Sequence, residues 1–531
     1  SAFSSTGYEV NDSRSDGHRV NIDLEQNMGE QQRLLFQSSV GYNNSQNVRA
    51  QALSNFSDLG ISTNESSLFN RYQPERWSAS ASLQYLLKFD KVGRLFSTSL
   101  SWEKQDDDAQ RILNSENRFR DNNLWLIDSL EQRQTRIDDL QFWQARISYT
   151  EPLNEYWYWQ NRFTLTLEQE DRNKDFFDVA DDQEMLNNLL SGDFTRDFAQ
   201  QNLETGLLYN SNKSQLRFSL TGQRASLTSP NGTALERQFY YLLPQASWEY
   251  QMNGSKNLDL RYSTSIVAPA LDQLQTLVDN SNTLNIYQGN PNLNPEYRHD
   301  FTAGIAIIDA FSFTNFFANL QSSYTQNRIV NSLQVDSLLR QFTQPVNTNY
   351  EWQNNLFTSF STPIKALDIS LRLRGNVGYS RGIILLYGVE DQVSRWDQEW
   401  SLSFGNRKKE VIDWELGARW NYGQAKYEQQ VNFNQNYNRQ DWFGLFTWFL
   451  PKDWVLGTEI EYQRFSNENF GQSDQFALWQ ASISKGLLLN QNTGIQRQNA
   501  FNYFEESRAN ALGRYAMLSA TFKIGRVGSE D

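Results

Sequence analysis

Apolar and polar residues alternate along this chain in runs of about ten, and a short polar turn separates each run from the next. Residues 157–168 give a clear example, with an apolar set (Trp157, Trp159, Phe163, Leu165, Leu167) and a polar set (Arg162, Thr164, Thr166, Glu168). Successive side chains of a β-strand point to opposite faces, so each run predicts a strand with one apolar and one polar face. A soluble sandwich buries its apolar faces against each other, whereas a transmembrane barrel turns them toward lipid.

The composition favours the membrane barrel over the sandwich. The chain has 531 residues and a mean hydropathy of −0.68, yet 14% of its residues are aromatic. Only every second residue of a barrel strand meets lipid, and aromatic rings line both membrane interfaces, so low hydropathy and many rings are compatible. The sequence contains no run of about eighteen apolar residues, which argues against a transmembrane helix.

Two further features of the composition exclude classes of function. The chain has no cysteine, which rules out disulfides, thiolate metal sites and a cysteine nucleophile. The net charge is −14 and no basic patch or tail is visible, so we expect no nucleic-acid partner. Solvated loops are the simplest explanation of the excess of acidic residues.

We therefore predict an all-β fold: a transmembrane antiparallel up-and-down β-barrel of about 22 strands, with short periplasmic turns and long extracellular loops. Predicted turns such as 151–154 and 406–409 are short, whereas the polar stretches 44–74, 105–136 and 171–194 are predicted as long loops. The least regular strands are Ala2–Val10, which precedes a second strand at Gly17–Gln26, and Gly494–Tyr503.

The predicted domain organisation is a single barrel over residues 1–525, followed by a short periplasmic tail at 526–531. Several soluble all-β domains or a β-propeller are the alternative. We find no fixed repeat and no interdomain linker to support them.

A motif in the middle of the chain indicates a family. The segment Gly289-Asn290-Pro291-Asn292-Leu293-Asn294-Pro295-Glu296-Tyr297 resembles a signature of TonB-dependent outer-membrane receptors, with Asn294 where lysine is common. The run Tyr262–Pro269 is similar to the strand that leads into that loop. Residues 508–519 resemble the terminal strand of the Bacteroidetes-type outer membrane β-barrel family, which is related to SusC-like receptors.

This resemblance implies a 22-stranded barrel filled by an N-terminal plug domain, with a TonB-binding segment before the plug. We expect the plug not to be present in this chain, because strand-like sequence begins at its first residues. TonB is therefore a possible partner only through a missing N-terminal segment. A barrel of this width needs a plug or holds water.

Three sets of candidate site residues follow. Prolines make the segment around Gly289–Tyr297 an ordered loop, in which asparagines bond their own backbone or contact a ligand. The candidate ligand-binding residues are Asn290, Asn292 and Asn294. Candidate lumen-lining residues are Arg162, Arg217, Arg372, Arg374 and Arg419, which could instead pair with acids such as Glu168 and Glu415 or anchor a plug. A membrane girdle is predicted at Trp143, Trp157, Trp159, Trp400, Trp414 and Trp420.

Other reactive groups carry little chemistry. No metal site is predicted. The alternative is a calcium site at Asp178, Asp181 and Asp182, although these residues fit no EF-hand spacing. The two histidines, His18 and His299, lie far apart in the sequence, and no nucleotide or zinc motif occurs. We therefore predict a protein that is not an enzyme and needs no cofactor.

The predicted function is uptake of a scarce nutrient (a siderophore, vitamin, glycan or peptide) by a TonB-dependent-receptor-like barrel, integral to the cell outer membrane. The alternative is a plugless barrel that serves as a scaffold subunit of a larger complex for secretion, surface-lipoprotein handling or motility. The predicted partners are outer-membrane lipid and lipopolysaccharide, with a surface lipoprotein or other envelope subunits as further possibilities. A membrane-embedded hydrolase is disfavoured by the isolated histidines.

Overall fold

The computed structural model describes residues 3–57, 62–121, 124–181, 183–229, 235–279, 285–335, 340–386, 388–452, 454–467, 472–486, 492–500, 503–511 and 515–524. The predicted tail at 526–531 lies outside these ranges. No helix within them has the length and hydropathy needed to cross a membrane.

Nearly all regular structure is β-strand. The strands are β1 (Phe3–Met28), β2 (Gln32–Ser57), β3 (Ser62–Lys88), β4 (Leu95–Asp121), β5 (Leu124–Pro152), β6 (Trp157–Ala180), β7 (Gln183–Leu186), β8 (Gly192–Asn210), β9 (Ser214–Ser229), β10 (Leu235–Asn253), β11 (Lys256–Val267), β12 (Val278–Asp279), β13 (Asn285–Gln288), β14 (Glu296–Asp309), β15 (Thr314–Val335), β16 (Gln341–Ile364), β17 (Ile369–Leu386), β18 (Val389–Asn406), β19 (Ile412–Tyr427), β20 (Gln435–Leu450), β21 (Trp454–Asn467), β22 (Gln472–Gly486), β23 (Asn492–Ala500), β24 (Tyr503–Ala511) and β25 (Tyr515–Ile524). The helical turns are α1 (Leu271–Leu274), η1 (Lys365–Leu367) and η2 (Val431–Phe433).

The strands form an up-and-down antiparallel meander. One sheet contains 23 strands, of which β7, β12 and β13 are only two to four residues long, and β23 pairs with β24 in a separate hairpin. Among the described residues, the long strands of the main sheet and the two strands of this hairpin make 22 antiparallel strands, the predicted number. The structure differs from the predicted strands at both ends of the chain. The first two predicted strands form the single strand β1, and the one strand predicted near Gly494–Tyr503 contributes residues to both β23 and β24.

An apolar band runs across one face of the sheet, at the end where the short turns lie. Ile147 of β5 lies directly opposite Phe163 of β6, which in turn lies opposite Leu203 of β8. The same face carries Leu373 of β17 opposite Leu402 of β18, and all five side chains are exposed. A continuous exposed apolar face of this extent would not be tolerated in water, so it is the lipid-facing surface of the barrel.

The bounds predicted for the loops at 44–74, 105–136 and 171–194 are wrong, because most of these residues belong to paired strands. Strands β1 to β6 contain 24–29 residues each, and the β4 and β5 ladders run to Asp121 and Leu124. A strand of 26 residues is about 85 Å long, whereas about ten residues cross a bilayer. The hairpins therefore extend as polar sheet far beyond the lipid-facing band.

Candidate functional site in the barrel interior

The connection between β11 and β14 folds against the inner face of the sheet, the face opposite the apolar band. We call residues 268–279 and 285–295 the in-barrel segment; they contain α1, β12 and β13. Within it, β12 pairs with β13, and β13 adds in parallel to β16, with Asn285 opposite Gln341. The segment thus has its own backbone pairing with the wall and is not a free surface loop.

A small apolar core holds the in-barrel segment to the wall. Leu274 and Leu293 of the segment are buried in one cluster with inner-face side chains of β8, β9 and β15. The wall residues of this cluster are Phe198, Ala225, Leu227 and Ile329. Burying a leucine contributes about 1.5–3 kcal/mol, so these contacts favour the docked position of the segment.

The Gly289–Tyr297 motif connects the segment to the wall by hydrogen bonds. Asn290 donates from its backbone to the carbonyl of Gln273 at 2.6 Å and from its side chain to the carbonyl of Pro345 at 3.1 Å. Arg237 donates to the side-chain oxygen of Asn294. The side chain of Asn292 is exposed, and its backbone N–H donates to the Asn290 side chain at 3.0 Å. Two of the three predicted ligand-binding asparagines are therefore engaged in holding the motif in place.

The first residue of β14 completes this attachment. The buried carboxylate of Glu296 accepts hydrogen bonds from Arg328 at 2.8 Å and from the backbone of Ile329 at 2.7 Å. The motif lies immediately before a strand, as predicted. Its prolines, Pro291 and Pro295, cannot donate backbone hydrogen bonds, and Pro295 is fully buried.

The substitution Gly289→Ala tests whether this close packing positions the segment. A Cβ at position 289 would clash with the carbonyl oxygen of Gln275 and would lie 2.9 Å from those of Asp272 and Gln273. These are backbone atoms, so we expect a loss of about 1–3 kcal/mol of stability, typical of overpacking. Limited proteolysis should then cleave the in-barrel segment faster. Gly254→Ala is the control, because its Cβ would meet no atom within 4 Å, and equal cleavage of the two variants would contradict the expectation.

A network of buried charges surrounds the docked segment. Arg172 of β6 donates to both carboxylate oxygens of Asp138 on β5, at 2.6 and 3.2 Å, and to Asp272 of the in-barrel segment. Arg196 of β8 pairs with Glu168 of β6. The pKa of Tyr287, a residue of β13, is raised to about 12 by burial and by the carboxylates of Asp272 and Asp279. Ion pairs thus connect the segment to strands far away in the sequence.

The five predicted lumen arginines all lie on the inner face, although they do not converge on one point. Arg162 pairs with Glu204 at 3.0 Å and Arg372 with Glu415 at 3.1 Å. The guanidinium group of Arg419 lies 4.8 Å from the centroid of the Phe443 ring. The register places Arg217 and Arg374 on the same face.

The residues that contact the in-barrel segment are not among the predicted site residues. Arg172 and Lys174 share the inner-face periodicity of Arg162 along β6, which could have identified them. The sequence pattern predicts a loop at these positions, because the outward positions beside them are polar as well. Their acidic partners Asp272 and Asp279 lie about a hundred residues away, and no local pattern links them.

The six predicted girdle tryptophans have outward register. Trp143, Trp157 and Trp159 lie on the outer face of β5 and β6, while Trp400 lies opposite Trp420 and Trp414 opposite Phe446. The indole N–H of Trp159 donates to Thr205 at 3.0 Å, and that of Trp420 to Asn438 at 2.9 Å. Rings with one apolar face and one hydrogen-bonded edge suit the membrane interface.

The candidate calcium residues do not form a cluster in the described part of the chain. Asp178 of β6 accepts hydrogen bonds from Gln132 at 2.7 Å and from Asn187 at 2.8 Å, and Asp181 is exposed. Asp182 lies outside the described residues. Among the residues that the structure describes, no group of three or more potential ligands could hold a metal ion, and calcium binding stays a prediction.

The histidines lie on separate strands. His18 pairs in register with Tyr42 on β2, and His299 of β14 lies 2.9 Å from the hydroxyl of Tyr262. Both occupy outward positions among aromatic side chains, away from the ionic network of the inner face.

An antiparallel sheet with a lipid-facing band and a polar inner face defines an integral outer-membrane β-barrel. The chain belongs to the outer membrane protein beta-barrel family, whose family model matches residues 87–516. This match confirms the predicted class and the predicted location in the outer membrane.

The solved structures that match the chain have little sequence identity to it. FpvA of Pseudomonas aeruginosa, solved with a pyoverdine, is 10% identical over 97% of this chain and 71% of its own, with a TM-score of 0.37. BauA, the ferric preacinetobactin receptor of Acinetobacter baumannii, is 8% identical over 98% of this chain and 80% of its own, with a TM-score of 0.40. The hemophore receptor HasR of Serratia marcescens is 12% identical over 86% of this chain and 77% of its own, with a TM-score of 0.42. No curated protein sequence matches the chain.

Proposed function

We propose that this protein is the barrel of a TonB-dependent-receptor-like system that takes up a scarce nutrient across the outer membrane. The observation that carries the proposal is the in-barrel segment, which docks on the inner wall through ion pairs such as Arg172–Asp272. A connection that folds into the lumen controls what can pass, and a charged inner wall suits a polar solute. Energy coupling would come from TonB, through a plug and a TonB-binding segment.

The nutrient would meet the tall polar hairpins first and the in-barrel segment next. Of the three motif asparagines, Asn292 is our candidate for ligand contact, because its side chain is exposed while Asn290 and Asn294 hold the motif to the wall. The inner-face arginines would line the path, and no bond of the solute would be made or broken.

A deletion strain tests the proposal. We expect it to grow poorly on one scarce source (siderophore-bound iron, a vitamin, a glycan or a peptide), and the intact gene on a plasmid should restore growth. Uptake of the labelled nutrient should fall at least tenfold without a change in general permeability, because a specific path has been lost. Normal growth on all four classes of source would contradict the proposal.

A second candidate, the scaffold subunit, is favoured by one observation. At the tip of the β4–β5 hairpin, Leu124, Trp125, Leu126 and Ile127 are four consecutive apolar residues, all exposed and far from the lipid-facing band. Such a tip suits contact with another protein, for instance a surface lipoprotein. A partner that co-purifies with the wild-type barrel but not with a Leu124→Ser, Leu126→Ser variant would support this alternative.

A further inference from the structure

A small cavity lies on the inner wall between β3, β4, β5 and β6, where these strands extend beyond the lipid-facing band. Its volume is about 70 Å³, roughly that of two water molecules. Asp279 of the in-barrel segment closes one side. The polar lining from the wall consists of Tyr72, Arg111, Gln134, Thr135, Arg136 and Lys174.

The strand register forces three cations together at this cavity. Arg136 of β5 lies directly opposite Lys174 of β6, and Arg111 of β4 lies opposite Gln134, two residues before Arg136. Like charges that face each other across two strands destabilise a sheet. Lys174 is buried, so water does little to reduce this repulsion.

The neighbouring carboxylates compensate these charges incompletely. Asp138 lies 3.2 Å from Arg136, but it also accepts two hydrogen bonds from Arg172. Lys174 lies 3.8 Å from Asp279 and 4.0 Å from Asp272, both longer than a hydrogen bond. Among the described residues, Arg111 has no ion pair within 4.0 Å.

Arg111 is held in position by an aromatic ring and by a hydrogen bond to the side chain of Gln134 at 3.5 Å rather than by an ion pair, and Asp279 is the carboxylate whose charge acts on it. Its guanidinium group lies 4.9 Å from the centroid of the Tyr72 ring, and its buried Nε atom has no hydrogen-bond partner. The Tyr72 hydroxyl accepts a hydrogen bond from Arg136 at 3.1 Å. Burial lowers the pKa of both Arg111 and Lys174, which reflects the cost of keeping these cations away from water.

We propose that this cavity binds one oxyanion group, a carboxylate or a phosphate, between Arg111, Arg136 and Lys174. The proposal rests on the proposed uptake function and refines it by naming an anionic nutrient as the substrate class. The volume suits a single such group, and charge-assisted hydrogen bonds from arginine are the strongest available to it. Asp279 borders the site and competes with the ligand for the same cations.

Isothermal titration of the full chain in detergent, with inorganic phosphate and with acetate at constant ionic strength, tests the site. We expect saturable binding of at least one probe with one site per chain. Arg111→Gln and Lys174→Met should each weaken it at least tenfold, whereas Asp279→Asn should tighten it several-fold because it removes the competing carboxylate. Arg118→Gln is the matched control: it lies on the same strand, faces outward and pairs with the exposed Glu116.

The outcomes separate the site from the uptake function. The proposal is overturned if neither phosphate nor acetate binds to the wild type or to the Asp279→Asn variant. It is also overturned if the Arg111→Gln and Lys174→Met variants bind the probe as tightly as the wild type. If these two variants do not fold by circular dichroism, Asp279→Asn decides the question, and affinity no higher than that of the wild type counts against the site. Phosphate binding without any growth defect in the deletion strain would keep the site and contradict the uptake function alone.

Discussion

Replacing Arg172 by methionine is expected to lower the free energy of unfolding by about 3–5 kcal/mol. The guanidinium group is buried between Asp138 on the wall and Asp272 on the in-barrel segment, and it also contacts Glu170 at 3.4 Å. Methionine fills part of the space but leaves Asp138 buried without its main partner. The cost arises because the Asp138 charge then keeps only its contact with Arg136 at 3.2 Å, rather than from the value of the Arg172 ion pair itself.

Urea denaturation in lipid vesicles, followed by tryptophan fluorescence, measures this effect. Arg33→Met is the control, because Arg33 pairs with Glu25 at 2.8 Å while both side chains are about half exposed. An exposed pair contributes about 0–1 kcal/mol, so the two variants should differ clearly. Similar losses of unfolding free energy in both variants would show that the buried ion pairs of Arg172 stabilise the barrel no more than an exposed pair does. Adding Asp138→Asn to Arg172→Met should recover part of the lost stability, since it removes the buried carboxylate charge of Asp138.

The membrane explains why so much of the barrel could be predicted from sequence. Lipid selects apolar residues at every second position, so the outward register of Ile147 and the inward register of Arg162 follow from a local period of two. Closely spaced turn residues mark the periplasmic ends in the same local way. The extended hairpins gave no such signal, because beyond the bilayer both faces of a strand can be polar. Asp106 to Asp108 of β4 therefore read as a loop, although each of them pairs with β5.

The grouping of residues at the candidate site could not be predicted from sequence, and the reason differs from that for the hairpins. Tyr72, Arg111, Lys174 and Asp279 come together only through the register of four strands and the docking of the in-barrel segment. Each of these residues has an ordinary local context. The motif around Gly289 indicated that the segment is ordered, but not that it packs against the inner wall. Contacts between residues this far apart in sequence depend on topology, which local patterns do not encode.

Replacing Ile147 by arginine is expected to destabilise the barrel by about 2–4 kcal/mol, the cost of placing a cation near the bilayer midplane. Ile147 is 49% exposed, between Thr98 of β4 and Phe163 of β6, in the middle of the apolar band. Ile137→Arg is the matched control on the same face of the same strand. Ile137 is 54% exposed, but its cross-strand neighbours are Asp108 and Asn173. Ten residues along the strand, about 33 Å, separate the two positions.

The side chains at positions 147 and 137 are nearly equally exposed, so the comparison isolates the surrounding medium, which is lipid at one position and water at the other. If hydrocarbon surrounds Ile147, the arginine there loses its hydration, while the arginine at position 137 keeps it and gains a carboxylate neighbour in Asp108. Urea titration in lipid vesicles should therefore separate the variants by at least 2 kcal/mol. The difference should shrink in a short-chain detergent, which admits water to the outer face. Equal stability of the two variants in vesicles would mean that lipid does not cover the apolar band, and the membrane-spanning arrangement would have to be abandoned.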